Sequence, residues 1–181
     1  MFNESKNNMR DIAARAEKIK LLILDVDGVL TDGKLFFDDQ GREYKSFHAR
    51  DGHGIKLLRQ SGVEVAVISG RSSRSVLLRM QSLGIEYVYQ GQENKLQALQ
   101  EILQSLAIRP EQAAHVGDDL LDLPIMRQVG LAIAVNDANF AVREYAHWCT
   151  SLPGGLGAVR EVCDFIMQAQ GNLETVIQSY L

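Results

Sequence analysis

A chain of 181 residues, 46% hydrophobic and 23% charged, can bury one sizeable core, and a single domain spanning 1–181 is expected. Nineteen basic against 23 acidic residues leave a formal charge of −4, so no overall basic footprint marks a nucleic-acid partner. Two cysteines, Cys149 and Cys163, exclude a disulfide framework or zinc spacing and are expected as small buried side chains; no apolar run of membrane-spanning length occurs, and the polar first twenty residues lack a signal-peptide pattern, which implies a cytoplasmic protein without a membrane partner.

Asn8 to Glu17 reads as a short, mostly polar helix. Leu21-Leu22-Ile23-Leu24 follows, four large apolar residues in a row, the pattern of a strand buried on both faces in a parallel sheet. Gly33 to His48 holds two short β-prone runs around Asp38-Asp39-Gln40-Gly41 and predicts a β-hairpin rich in exposed-side aromatics: Phe36, Phe37, Tyr44 and Phe47. A helix around Ile55 to Gln60 leads to a second strand, Val63 to Ile68. Ser72 to Leu83 reads as a helix and Ile85 to Tyr89 as a third strand. Leu96, Leu99, Leu103 and Leu106 mark one face of the next helix. Ala113 to Val116 and Leu131 to Val135 are strands on either side of a helix from Asp119 to Val129. Trp148-Cys149 forms a weak sixth strand, Val159 to Met167 a last helix, and 172–181 a tail without a pattern. The alternation predicts an α/β, Rossmann-like layered fold with a mostly parallel central sheet. Ligands in such folds bind at the C-terminal edge of the strands, near the switch in strand order.

Polar residues suited to one reaction gather at those strand ends. The first strand runs into Asp25-Val26-Asp27-Gly28, where alternate side chains share a face and the glycine lets the chain turn. The second ends in Ser69-Gly70-Arg71, Lys95 opens the Leu-rich helix, and the fourth ends in Gly117-Asp118-Asp119 with Asp122 one turn later. Carboxylate oxygens with waters suit Mg²⁺, and the ion, Lys95 and the Ser69 hydroxyl can surround a phosphoryl group. One carboxylate can then attack phosphorus while its neighbour serves as acid and base. A lone Asp-x-Asp or Ser-Gly is commonly a loop or a turn, and Gly-Asp-Asp can be a turn with Asp119 as helix cap. Four such pieces in order on one α/β pattern are not.

Together these pieces resemble the motif set of the haloacid dehalogenase superfamily, with Leu24 to Asp32 as the first motif and Ser69, Lys95 and Gly117-Asp118-Asp119 as the others. A narrower set is similar to the 3-deoxy-D-manno-octulosonate 8-phosphate phosphatase family: Val26 to Gly33, Arg50-Asp51-Gly52 with Gly54-Ile55, Ile68 to Arg71, Tyr89-Gln90-Gly91 with Asn94-Lys95, Val116 to Leu120, and Gly154-Gly155 with Gly157 to Asp164. The likeness runs from about Ile19 to Gly171. It implies an enzyme, a Mg²⁺-dependent phosphoric monoester hydrolase of lipopolysaccharide precursor synthesis, acting through an aspartyl phosphate. By the resemblance Asp25 is the nucleophile and Asp27 the general acid/base. Mg²⁺ is held by Asp25, the Asp27 backbone carbonyl and Asp118, with Asp119 supporting from farther out. Ser69 and Lys95 hold the phosphoryl. The sugar acid is met by Asp27, His48, Ala49, Arg50, Asp51, Gly52, Lys56, Arg71, Arg79 and Lys95. The arginines suit a substrate that carries a carboxylate as well as a phosphate.

Two other readings stand beside this one: a phosphatase of another phosphorylated sugar acid, and a non-catalytic oligomerisation module related to sialic-acid-activating enzymes. A phospho-accepting receiver domain is disfavoured, because the third strand ends in Tyr89-Gln90-Gly91 without an aspartate. Of the other histidines, His53 is a candidate to line the site, His115 reads as a satisfied core residue and His147 carries no signal. No interval between motifs can hold an independent cap domain. Hairpin aromatics beyond what a two-stranded ribbon can bury imply that hairpins of several copies pack together and that a neighbour closes each site. The resemblance implies a homotetramer.

Overall fold

A computed structural model describes residues 2–181, with side chains from Met9 onward. Six strands form one wholly parallel sheet: β1 (Leu21–Leu24), β4 (Glu64–Ile68), β5 (Tyr87–Tyr89), β6 (Ala113–Gly117), β7 (Leu131–Ala134) and β8 (Trp148–Cys149), in the order β5-β4-β1-β6-β7-β8. A separate two-stranded antiparallel ribbon, β2 (Phe36–Phe37) and β3 (Glu43–Tyr44), projects between β1 and the next helix. The helices are α1 (Phe2–Ala16), α2 (Ala49–Gln60), α3 (Arg74–Leu83), α4 (Lys95–Leu106), α5 (Leu123–Met126), α6 (Phe140–Tyr145), α7 (Ala158–Ala169) and α8 (Leu173–Gln178). From β1 the chain moves outward through β4 to β5, then returns past β1 to β6 and moves outward the other way. Right-handed crossovers therefore put α2 and α3 on one face and α4, α5 and α6 on the other. α7 packs on α2 and α1, and completes the first layer.

All four residues of β1 are fully buried, as a strand covered on both faces must be. Each such Leu or Ile side chain contributes about 1.5–3 kcal/mol by leaving water. Parallel register sets Leu24 level with Val67 of β4 and Val116 of β6. Asp25, Ser69 and Asp118 therefore leave the sheet side by side at its C-terminal edge, where the strand order reverses.

Differences from the sequence reading have local causes. The first helix begins at Phe2 rather than near Asn8. Asp119 to Val129 is not one helix: a 3-10 turn over Leu120–Asp122 precedes the short α5, because Asp122 turns inward to meet Lys95 and His115. Cys163 is buried as expected, but Cys149 is only half-buried because β8 is the edge strand. The helices α6 and α8 carried no sequence expectation, and α8 lies in the tail. The hairpin has strands of two residues each, and Leu35, Phe36, Phe37 and Tyr44 are all exposed, while Phe47 packs against the core. No helix among the described residues is long and apolar enough to cross a membrane.

Candidate active site

The turn after β1 is built around Gly28, at φ +92°, a conformation that L side chains rarely adopt. A Cβ there would fall 2.0 Å from Asp118 Oδ2, so glycine is also what lets the β1 and β6 loops meet. Behind the turn, a Cβ on Gly154 would fall 1.6 Å from the Gly28 carbonyl oxygen, and the Gly155 N–H donates to Val29 O at 2.8 Å. The Gly154-Gly155 pair thus braces the acidic turn from below. Asp25 and Asp27 open with Ser69, Arg71, Lys95 and Asp122 into one cavity of about 520 Å³.

Lys95 is the first residue of α4, whose N-cap Asn94 accepts the Leu96 N–H. Its ammonium is almost fully buried and donates to Asp25 Oδ1 and Asp122 Oδ1, both at 2.7 Å. Asp122 Oδ1 also lies 2.9 Å from His115 Nε2. An ionised carboxylate only accepts, so this nitrogen of His115 carries the proton. Asp122 Oδ2 accepts the backbone N–H groups of Asp118 and Asp119 at 3.0 and 3.3 Å. Burial opposes the Asp122 charge, but the bonds from His115 and Lys95 hold its carboxyl well below the usual range. Burial and the Asp122 charge push Asp25 up to about 6, against the pull of Lys95. Burial also disfavours the Lys95 charge, yet Asp25 and Asp122 more than offset it and raise the ammonium.

Asp118 has no side-chain hydrogen bond among the described residues. Burial, with the carboxylates of Asp25, Asp122 and Asp119, pushes it up to about 8. Oxygens of Asp25, Asp118 and Asp122 lie within 4.8 Å of one another. Both Asp122 oxygens are already taken, which leaves Asp25 and Asp118 with acceptor capacity for a cation. Crowded hard oxygens that repel one another without a positive charge fit a divalent ion such as Mg²⁺. Asp119 is exposed, and its carboxylate caps the 3-10 turn at Leu120 N. Ser69 is buried, its Oγ accepting the Arg71 N–H at 3.3 Å.

Residues 85–154 match the family described as haloacid dehalogenase-like hydrolase. Over 164 residues the chain is 51% identical to the 3-deoxy-D-manno-octulosonate 8-phosphate phosphatase of Escherichia coli (strain K12), spanning 91% of this chain and 87% of that enzyme. The chain belongs to this phosphatase family. Among solved structures, the 3-deoxy-D-manno-octulosonate 8-phosphate phosphatase of Yersinia pestis is 50% identical with a TM-score of 0.90, covering 91% of this chain and 89% of that one. The Moraxella catarrhalis enzyme, in complex with a magnesium ion, a phosphate ion and a KDO molecule, is 41% identical with a TM-score of 0.94, covering 96% and 99%.

The residues that family resemblance assigns to the sugar acid do not all gather in one place. Asp27, Arg71 and Lys95 line the cavity at the strand ends. His48 and Arg50 instead line a second groove of about 600 Å³, with Trp148, Leu156 and Arg160. Asp51 is buried, and its Oδ1 accepts the Arg160 N–H at 2.8 Å, holding the first turn of α7. Gly52 gives room to the Arg79 guanidinium, which lies 6.0 Å above the Phe47 ring. Ala49 and Lys56 are exposed on α2. His53 is exposed and meets Tyr180 Oη at 3.0 Å, so it pairs with the tail rather than the cavity. His115 is in the core as expected, yet its partner is Asp122 of the site and its Nδ1 has none among the described residues. Sequence reasoning passed over Glu43 and Lys45 of the hairpin, although alternate residues around Tyr44 put both on one face. The Lys45 ammonium pairs with Asp27 and Glu43, and Arg71 bonds Glu43 at 2.6 Å.

Proposed function

We propose that this chain is a Mg²⁺-dependent phosphatase that hydrolyses 3-deoxy-D-manno-octulosonate 8-phosphate to the free sugar acid and phosphate. The observation that carries the reading is the convergence of Asp25, Asp27, Ser69, Lys95 and Asp118 at the switch point of the sheet, in a chain 51% identical over 164 residues to a phosphatase of that name. The whole chain, 1–181, acts as one phosphatase domain with the hairpin as its insertion. The reading places it in the cytoplasm, since a substrate that carries both a carboxylate and a phosphate does not cross a bilayer unaided.

In the first step an Asp25 oxygen bonds to phosphorus and the bond from phosphorus to the sugar oxygen breaks. Asp27 gives its proton to the departing oxygen. In the second step water attacks phosphorus, the bond to Asp25 breaks, and the proton of the water goes to Asp27. The Ser69 hydroxyl and the Lys95 ammonium hold the phosphoryl oxygens through both steps. Lys95 also orients Asp25 by its 2.7 Å bond. Mg²⁺, held by Asp25, the Asp27 carbonyl and Asp118, neutralises charge on the phosphoryl group when bound. Arg71 is the cation at the mouth of the cavity for the acid end of the sugar.

A homotetramer belongs to the same reading. The exposed Leu35, Phe36, Phe37 and Tyr44 favour hairpin-to-hairpin packing, and the cavity is open on one side. His48, Arg50 and Arg79 lie outside the cavity of their own chain, so a neighbour that covers the mouth would let such groups act. The test is phosphate release over a panel of sugar phosphates with and without Mg²⁺. Asp25→Asn should abolish turnover, since an amide cannot form the aspartyl phosphate. Near-normal hydrolysis by that variant, or full activity in chelator, would sink the mechanism.

A further inference from the structure

The hairpin reaches into the site with a side chain that the chemistry above does not use. Lys45 stands just past β3, on a ribbon whose other face is open to water, yet its side chain is only 1% exposed. Its ammonium is paired with Asp27 Oδ1 and lies 2.7 Å from Glu43 Oε1. Glu43 Oε2 in turn accepts from Arg71 Nη2 at 2.6 Å, and Arg71 Nε lies 3.7 Å from Asp27 Oδ2. Two cations alternate with two carboxyl groups, Asp27 among them, and the four groups from three separate segments thus close a ring. Burying an ammonium is costly unless acceptors offset its lost hydration, and here the Asp27 and Glu43 carboxyls do so.

We propose that Lys45 is the positioning residue for Asp27, fixing which carboxylate oxygen faces the reacting atoms. The inference rests on the reading of Asp27 as acid and base. Asp27 sits in a turn, outside any strand, where its side chain would otherwise sample several rotamers. Lys45 takes up Oδ1. Oδ2 accepts no hydrogen bond among the described residues, with Arg71 Nε no nearer than 3.7 Å. It is therefore the oxygen left to meet the leaving group and then water. Glu43 holds Lys45 from the far side and so acts through it. The hairpin is then part of the catalytic apparatus of its own chain, apart from any role in assembly.

A double-mutant cycle on the full chain with Mg²⁺ and 3-deoxy-D-manno-octulosonate 8-phosphate tests this. Asp27→Asn alone should cost about 10²–10⁴-fold in kcat. Lys45→Met should lower kcat by roughly 10–100-fold, the scale of a displaced catalytic group, with KM changed less than about threefold. Lys45→Arg should restore part of the loss. In the Asp27→Asn background, Lys45→Met should add no more than about twofold, because a residue acting only through Asp27 has nothing left to orient. Losses that multiply, or a raised KM with unchanged kcat, would overturn the inference while leaving the role of Asp27 intact. Normal turnover by Asp27→Asn would instead remove the acid/base reading, and this inference with it. Should Lys45→Met not fold, Glu43→Gln run through the same cycle keeps the ammonium, loosens its second anchor and is read by the same criteria.

Discussion

Asp122 offers the sharpest test of how the site is held together. Each of its oxygens accepts twice: Oδ1 from Lys95 and His115, Oδ2 from the Asp118 and Asp119 amides. In Asp122→Asn one of those positions becomes an NH₂, a donor that must face other donors whichever way the amide is turned. Lys95 also loses one of its two carboxylates while still buried. Breaking a buried pair costs about 3–5 kcal/mol, and relief of the repulsion between Asp122 and Asp25 puts this case near 3. At about 2–4 °C per kcal/mol for a chain of this size, the melting temperature should drop by roughly 6–12 °C. Turnover should fall about 10²-fold as Lys95 loses its alignment. Thermal unfolding with and without Mg²⁺, alongside phosphate release, measures both. A variant that melts within about 2 °C of the wild type and turns over normally would refute the reasoning. Loss of Mg²⁺ binding as complete as in Asp118→Asn, without loss of metal-free stability, would make Asp122 a metal ligand instead.

The raised carboxyls predict a pH signature. In metal-free protein Asp118 and Asp25 stand near 8 and 6 against an ordinary 3.8, so the folded state binds more protons than the unfolded. Their contribution to stability is fully present below about pH 4 and is lost progressively as pH rises from there through 6 and 8, while Mg²⁺, which must displace the Asp118 proton, should stabilise more at pH 8 than at pH 6. Thermal melts at both pH values check this, and greater Mg²⁺ stabilisation at the lower pH would contradict it. Gly154→Ala should lower both stability, by about 1–3 kcal/mol, and kcat, because its Cβ meets the backbone of the turn that carries Asp27; a wild-type melt would show that the loop yields. The double variant Phe36→Asp, Phe37→Asp should sediment as a smaller species with reduced turnover. A wild-type monomer with full activity would rule out the assembly, and a folded variant that loses assembly but keeps normal turnover would rule out a neighbour completing the site.

Much of this molecule is legible in the chain itself. Four apolar residues before Asp25 specify a doubly covered strand, and Gly28 specifies the turn that follows, because both are local demands of burial and backbone sterics. The same holds for Ser69 and Lys95, each placed by the end of one element or the start of the next. Parallel strands connected by helices leave only one edge at which such residues can meet. The motif order therefore already implied the phosphatase family that half-identity to its members establishes.

What local pattern does not contain is who pairs with whom across the molecule. His115 in a strand looks like any core residue until β6 is set beside the inward turn of Asp122, seven positions later. Lys45 looks like a surface charge on a ribbon until the hairpin folds over Asp27, eighteen positions earlier. Arg50 and Arg71 carry the same charge in the sequence, yet one faces a second groove and the other the cavity that holds Asp25 and Asp27. Residue type and spacing determined the strand ends and the chemistry they carry, since those follow from forces acting within a few residues. The charge network around that chemistry was decided by tertiary structure alone, because a buried ion pair depends on distance and exclusion of water, and neither is a property of the chain before it folds.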